Sequence, residues 1–153
     1  MSTVLIPVVL LASGLAAGVL LATQLGGWPL LRGLPAADYV RAHAFFSTRY
    51  DPWMPICLVT TFLGDLVLAL STGNGVARVF FAAAALLAVC TGVISVLKNV
   101  PVNRWVRTLD PDSLPRDFHR IDPRTGWGSW NRRRSVLGIL AFGLNCAGLG
   151  VLL

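Results

Sequence analysis

A chain of 153 residues holds one domain, and its make-up, 55% apolar with 13% charged residues and a mean hydropathy of +0.68, is that of a domain embedded in a membrane. This rules out disorder and argues against an ordinary soluble enzyme. The net charge of +6, from 12 Arg and one Lys against seven Asp and no Glu, falls between long apolar runs. It therefore reads as orientation in a bilayer, with no nucleic-acid partner.

The first apolar run, residues 4–26, carries no charge and is long enough to cross ~30 Å of hydrocarbon. It lacks the basic start of a secretory signal and is too long for one. Gly14 and Gly18 within it form a small-xxx-small pair suited to close helix packing.

A first loop carrying Arg32, Arg41 and Arg49 follows, and its second half, Ala36 to Tyr50, reads as a helix. Tyr39, His43, Phe46 and Tyr50 recur there at helical spacing, which places one histidine on an aromatic stripe. Two readings stay open. The helix lies in the membrane interface with its arginines snorkelling outward, or His43 stands over a pocket as a proton acceptor, since imidazole titrates near neutrality.

The second run, 53–71, opens with Asp51-Pro52-Trp53, an acid at the cap position before a proline at the first helical position. Asp65 sits ~18 Å along it at 1.5 Å per residue. An intramembrane carboxylate usually faces an internal cavity; Thr61 or Arg78 is its expected partner. A short polar turn leads to the third run, 79–98.

That run continues into Lys98-Asn99-Val100-Pro101-Val102-Asn103-Arg104-Trp105-Val106-Arg107. Asn99, Asn103 and Arg107 share one face if the helix persists through Pro101, and polar groups on a stripe at membrane depth are costly unless paired or functional. The third loop then holds seven arginines between Asn99 and Arg133.

The fourth run, 134–153, is preceded by Trp127-Gly-Ser-Trp130-Asn131, with Ser129 placed to cap its helix. Trp127, Asn131 and Arg134 fall on one side, with Asn145 deeper on nearly the same side. Asn131 and Arg134 would meet Asn99 and Asn103 across the bundle, while Trp127 and Trp130 serve either a pocket or the interfacial aromatic belt. Cys57, Cys90 and Cys146 all lie in apolar runs and read as small buried thiols. No metal-ligand spacing, glycine-rich nucleotide loop or nucleophile elbow is present.

The expected fold is therefore all-α: one domain, 1–153, an integral-membrane four-helix bundle with an additional interfacial helix in the first loop. The basic loops place both large connections in the cytoplasm of a bacterial plasma membrane. A homo-oligomer is compatible with this map.

Asn99-Val-Pro-Val-Asn103 followed by Trp130-Asn131-x-x-Arg134-Ser135 resembles the paired signatures of small four-helix membrane proteins that include the anthrone oxygenases of aromatic polyketide pathways. In that family an Asn-Val-Pro-Leu-Asn segment ends the third helix and a Trp-Asn-x-x-Arg-Thr segment opens the fourth. Val102 and Ser135 are the departures. The resemblance implies an O2-dependent monooxygenase acting on a hydrophobic aromatic or polyketide-type molecule, with O2 as co-substrate and no flavin or haem required; the need for a metal stays open. His43 would be the base, Arg134 the oxyanion partner, and Asn99, Asn103 and Asn131 the orienting hydrogen-bond donors. Asn99, Tyr50, Asp65, Trp105, Arg107, Trp127 and Trp130 would contact substrate. A cofactor-free isomerase or cyclase would use the same groups, and a non-catalytic transport or assembly partner is the reading from another class.

Overall fold

A computed structural model describes residues 2–153; Met1, the first residue of the expected 1–153 domain, lies outside them. Among the described residues the structure is entirely helical, without a strand. Four helical stretches, Val4–Gly33, Trp53–Ser71, Gly75–Val106 and Phe118–Leu152, are long and apolar enough to cross a membrane.

Three of these outrun the apolar runs that announce them. The first is a helix α1 (Ser2–Ala22), a π-helical turn (Thr23–Gly27) and a helix α2 (Trp28–Gly33) in one continuous rod. After α3 (Ala36–Arg49) comes α4 (Trp53–Ser71), whose bounds coincide with the expected segment. The third rod joins α5 (Gly75–Ile94), a second π-helical turn (Ser95–Asn99) and α6 (Val100–Val106). A short α7 (Phe118–Ile121) precedes α8 (Arg124–Leu152), which begins ten residues before the expected segment. Ser129 is consequently inside α8 and caps nothing. Pro52, not Asp51, occupies the cap position of α4, without a side-chain capping bond. The cap that does form is at α5, where Asn74 Oδ1 accepts from the backbone N–H groups of Val76 and Ala77 at 3.0 and 3.2 Å.

Both π turns have the same origin. Each starts with a hydroxyl residue, Thr23 or Ser95, and each is followed six residues later by a proline, Pro29 or Pro101. Proline lacks an N–H and its ring collides with the carbonyl four residues back. Widening the preceding turn relieves that collision without ending the rod. The N–H of Trp28 accordingly reaches back five residues to Thr23 O, and that of Val100 to Ser95 O. The hydroxyls of Thr23 and Ser95 donate to carbonyls four residues upstream, both at 2.8 Å.

The four rods pack as a ring in the order α1, α4, α5, α8 and back to α1. At the end away from α3 the core consists of Ile6, Val9, Leu68, Ala69, Ala77 and Phe81. Close approach comes from Gly64 against Val9 and from Gly138 and Gly148 of α8 against Leu20 and Phe81. Of the expected glycine pair in α1, Gly14 meets Phe142, whereas a Cβ at Gly18 would meet nothing within 4 Å. Asp65 and Asn145, both buried, bond to each other across the bundle at 3.2 Å. Neither expected partner of Asp65 is used, because Thr61 donates to Cys57 O and Arg78 to Thr72 O. Cys57 and Cys90 are half-buried and Cys146 is exposed, so the last is not the buried thiol its apolar run suggests.

α3 closes the other end as a lid. Tyr39 and Val40 pack with Leu31, Val106, Phe118 and Trp127. Arg124, at the start of α8, pairs with Asp122, donates to Leu34 O at 2.6 Å and stacks 4.9 Å from the Tyr39 ring centre, tying the lid to the bundle.

A matched pair of substitutions in α8 tests the close packing beneath the lid. A Cβ at Gly128 would fall inside the indole of Trp28, whereas one at Gly126 meets nothing within 4 Å. Gly128→Ala should therefore lose up to about 2 kcal/mol, overpacking of ~1–3 less the helix-propensity gain of about 1. Gly126→Ala should be neutral or stabilising by up to about 1 kcal/mol. Thermal unfolding in detergent micelles reads both.

Candidate functional site

Beneath α3 lies a cavity of about 460 Å³, within the ~300–1,000 Å³ of small-molecule sites. Its walls are mainly apolar, from α1, α2, α4 and α5, and its polar side chains are few. His43, Ser47, Tyr50 and Asp51 come from the lid and its exit, Thr23 and Ser95 from the two π turns, Asn103 from α6, and Trp127 and Arg134 from α8.

The polar groups form two relays. In the first, Asn103 Oδ1 accepts from Trp127 Nε1 at 2.8 Å and lies 2.9 Å from His43 Nε2. An indole nitrogen can only donate, so the Asn103 atom facing it is the carbonyl oxygen. His43 Nε2 must then carry a proton and donate to the same oxygen. In neutral imidazole this leaves the lone pair on Nδ1, which is buried and has no partner among the described residues. His43 is itself 2% exposed, with the rings of Tyr39 and Trp127 edge-on at 5.2 and 5.0 Å. Burial holds its pKa below the ordinary 6.5, with the Asn103 bond opposing, so the imidazole is neutral at pH 7. Burial likewise raises the pKa of the Tyr39 phenol, which keeps its proton.

In the second relay Arg134 donates twice to Asn131 Oδ1, at 3.1 and 2.9 Å, and once to Ser95 Oγ at 3.2 Å. A guanidinium also only donates, so Asn131 turns its amide nitrogen toward Gln24 Oε1, 3.1 Å away. No carboxylate lies within 4 Å of Arg134 among the described residues. Three of its five N–H groups are used, which leaves two for a ligand in the cavity it lines. Seven residues of α8 separate Trp127 from Arg134, about 10 Å of rise, so the relays flank the cavity at different depths.

The structure thus gathers His43, Tyr50, Asn103, Trp127 and Arg134 around one space. Asn131 is fully buried behind Arg134, and Asn99 is buried with its amide donating to Trp127 O at 3.3 Å. These two position other groups and do not line the cavity, which corrects the substrate contact expected of Asn99. Asn103 is corrected in role, since its oxygen accepts from both neighbours. Asn99 and Asn103 also do not bond Asn131 or Arg134, because the groups of each relay satisfy one another.

The remaining expected contacts lie elsewhere. Trp105 stacks on Phe118, ring centres 6.4 Å apart, outside the cavity. Trp130 carries Lys98 and Arg133 on its ring, at 5.2 and 4.3 Å. Arg107 follows the last residue of α6 and is exposed, so the shared face ends at Asn103. Asp65 is in the core, bonded to Asn145. Gln24 and Ser95 were not anticipated. The signal for both is a polar residue in an apolar run six or fewer residues before a proline. Among the described residues no three His, Cys, Asp or Glu side chains converge as a metal-ligand set.

A family model described as anthrone oxygenase matches residues 43–144, which run from the lid histidine into α8 and take in every relay residue except Gln24. No curated protein and no solved structure matches the chain.

The assignment of the imidazole proton is directly measurable. ¹⁵N spectra of His43 in micelles should show a neutral ring protonated at Nε2 and a titration below pH 6.5. Trp127→Phe removes the donor that fixes the Asn103 amide and should give a mixture of the two tautomers. An Nδ1-protonated ring in the unaltered protein would contradict the relay.

Proposed function

This chain belongs to the anthrone oxygenase family, and from that premise we propose that it is a membrane-embedded, O2-dependent monooxygenase of hydrophobic aromatic ketones whose ring methylene becomes acidic through conjugation. The observation that supports this most is that one apolar cavity is lined both by His43, whose Nδ1 has no hydrogen-bond partner among the described residues, and by Arg134, whose guanidinium has no carboxylate within 4 Å among them. A base removes the proton, and the cation holds the oxyanion that results.

In the proposed reaction His43 Nδ1 takes one methylene proton, and the electron pair moves through the ring to the carbonyl oxygen beside Arg134. The resulting aromatic anion is electron-rich enough to react with O2, forming a carbon–oxygen bond and a hydroperoxide once a proton returns. Loss of the second proton from the same carbon with cleavage of the O–O bond gives the new carbonyl and releases water. One oxygen atom is retained and one leaves as water, so no external reductant is needed. Asn103 and Trp127 orient the base, while Asn131, Gln24 and Ser95 hold Arg134. Apolar walls from α1, α4 and α5 exclude water from the anion. The chemistry calls on no bound cofactor.

The same reading puts the protein in a bacterial plasma membrane with α3 on the cytoplasmic side. Arg104, Arg107, Arg116, Arg120, Arg132 and Arg133 are all exposed at that end, against Arg78 alone at the start of α5 at the other.

Turnover of anthrone in nanodiscs, measured as quinone formed and O2 consumed above the uncatalysed rate, tests the proposal. One O2 should be used per quinone. His43→Ala should lower kcat by roughly 10²–10⁴-fold, and Arg134→Gln by about 10²–10³-fold. The rate should be full at pH 7 and fall only as the pH drops below 6.5 and through the lowered pKa of His43, because the neutral ring is the active form. A product of unchanged mass without O2 uptake would assign an isomerase or cyclase instead.

A further inference from the structure

The cavity is not closed toward the bilayer. Val59 of α4 and Val96 of the second π turn both line it, yet they are 55% and 63% exposed. Val59 lies six residues into α4, about 9 Å from its start, a depth inside the hydrocarbon of a spanning helix. An apolar wall residue that is also exposed at that depth is the rim of an opening onto lipid.

Helical phase says where the opening lies. Gly64 marks the flank of α4 that meets α1, through Val9. At about 100° per residue, Met54, Leu58 and Val59 turn to the other flank, toward α5. On the third rod the matching positions are Gly92 of α5 and Val96 of the second π turn, which also line the cavity. α8 packs on both π turns, whereas α4 makes at most slight contact with either. α4 therefore stands off from the ring at this end and leaves a gap beside α5.

We propose that this gap, rimmed by Val59 and Val96, is a lateral portal through which a flat hydrophobic substrate passes from the acyl-chain region into the cavity. The portal rests on the reaction site assigned above. Its occupant follows from the rim: two valines and a glycine offer no side-chain hydrogen bond, and they lead to a mainly apolar cavity whose imidazole and guanidinium come from α3 and α8. The competing entrance is at Tyr50 and Asp51, where the rim is exposed and carries a carboxylate. That rim suits a solute arriving from the headgroup layer.

The protein is reconstituted into vesicles containing a phospholipid with a diazirine in mid-acyl chain, irradiated, and its adducts mapped by mass spectrometry. Met54 and Leu58, which face inward, should be labelled along with the outward-facing Leu63. Val59→Trp with Val96→Trp should abolish the inner adducts, spare Leu63, and lower turnover of membrane-loaded anthrone by about tenfold or more. Leu63→Trp should leave turnover within about twofold. Helical circular dichroism and unfolding temperature show that each variant is folded. Labelling of Leu63 without Met54 or Leu58 overturns the portal, as does undiminished turnover in the double tryptophan variant. Inner adducts in a protein that does not oxidise anthrone would keep the portal and reject the reaction.

Discussion

Arg134 brings its guanidinium to a place where the atoms accepting its protons are Asn131 Oδ1 and Ser95 Oγ, both neutral. Inside a membrane bundle that is a costly arrangement, and arginine is kept there only where structure or function demands it. Everything near it serves the charge. Asn131 can accept from Arg134 because Gln24 takes its amide proton, and Ser95 can because its own hydroxyl proton is given to Thr91 O. Both supports come from π turns, which exist because Pro29 and Pro101 follow them. Two prolines thus place two polar side chains where a regular helix would aim them differently.

The same economy governs the base. Trp127 has one polar atom, a donor, and it fixes Asn103, which in turn fixes the proton of His43 on Nε2. Each relay is anchored by a side chain that cannot accept, so neither depends on a choice of amide orientation. The lid helix α3 supplies the imidazole, and Arg124 holds the lid through Leu34 O and the Tyr39 ring. Imidazole and guanidinium end up at different depths along α8. That separation suits a molecule that loses a proton at one end and gathers charge at the other.

Much of this was legible in the sequence. Four apolar runs in a 55% apolar chain give four rods, and the 3.6-residue period places His43 on the buried face of α3 and Trp127, Asn131 and Arg134 on one side of α8. The rods were read too short because hydropathy stops at the first polar residues. Here Lys98 and Asn131 belong to helices that continue past them. The π turns were invisible to a fixed helical period. The tryptophans divide by what faces them: Trp127 finds Asn103, whereas Trp105 finds Phe118 and Trp130 finds two cations. No local pattern states which partner a tryptophan meets. Asp65 and Asn145 are 80 residues apart, and only the ring of rods, which sets α4 across the bundle from α8, joins them.

The central claim is that the cavity ionises its ligand and holds the anion, before any oxygen chemistry. Anthrone mixed with the reconstituted protein in the strict absence of O2, at pH 7, tests it by absorption spectroscopy. The account predicts the red-shifted band of the aromatic anion, stoichiometric with protein, lost in His43→Ala and weakened in Arg134→Gln. Bound anthrone that keeps the spectrum of the neutral ketone, or a band that survives both substitutions, would contradict it.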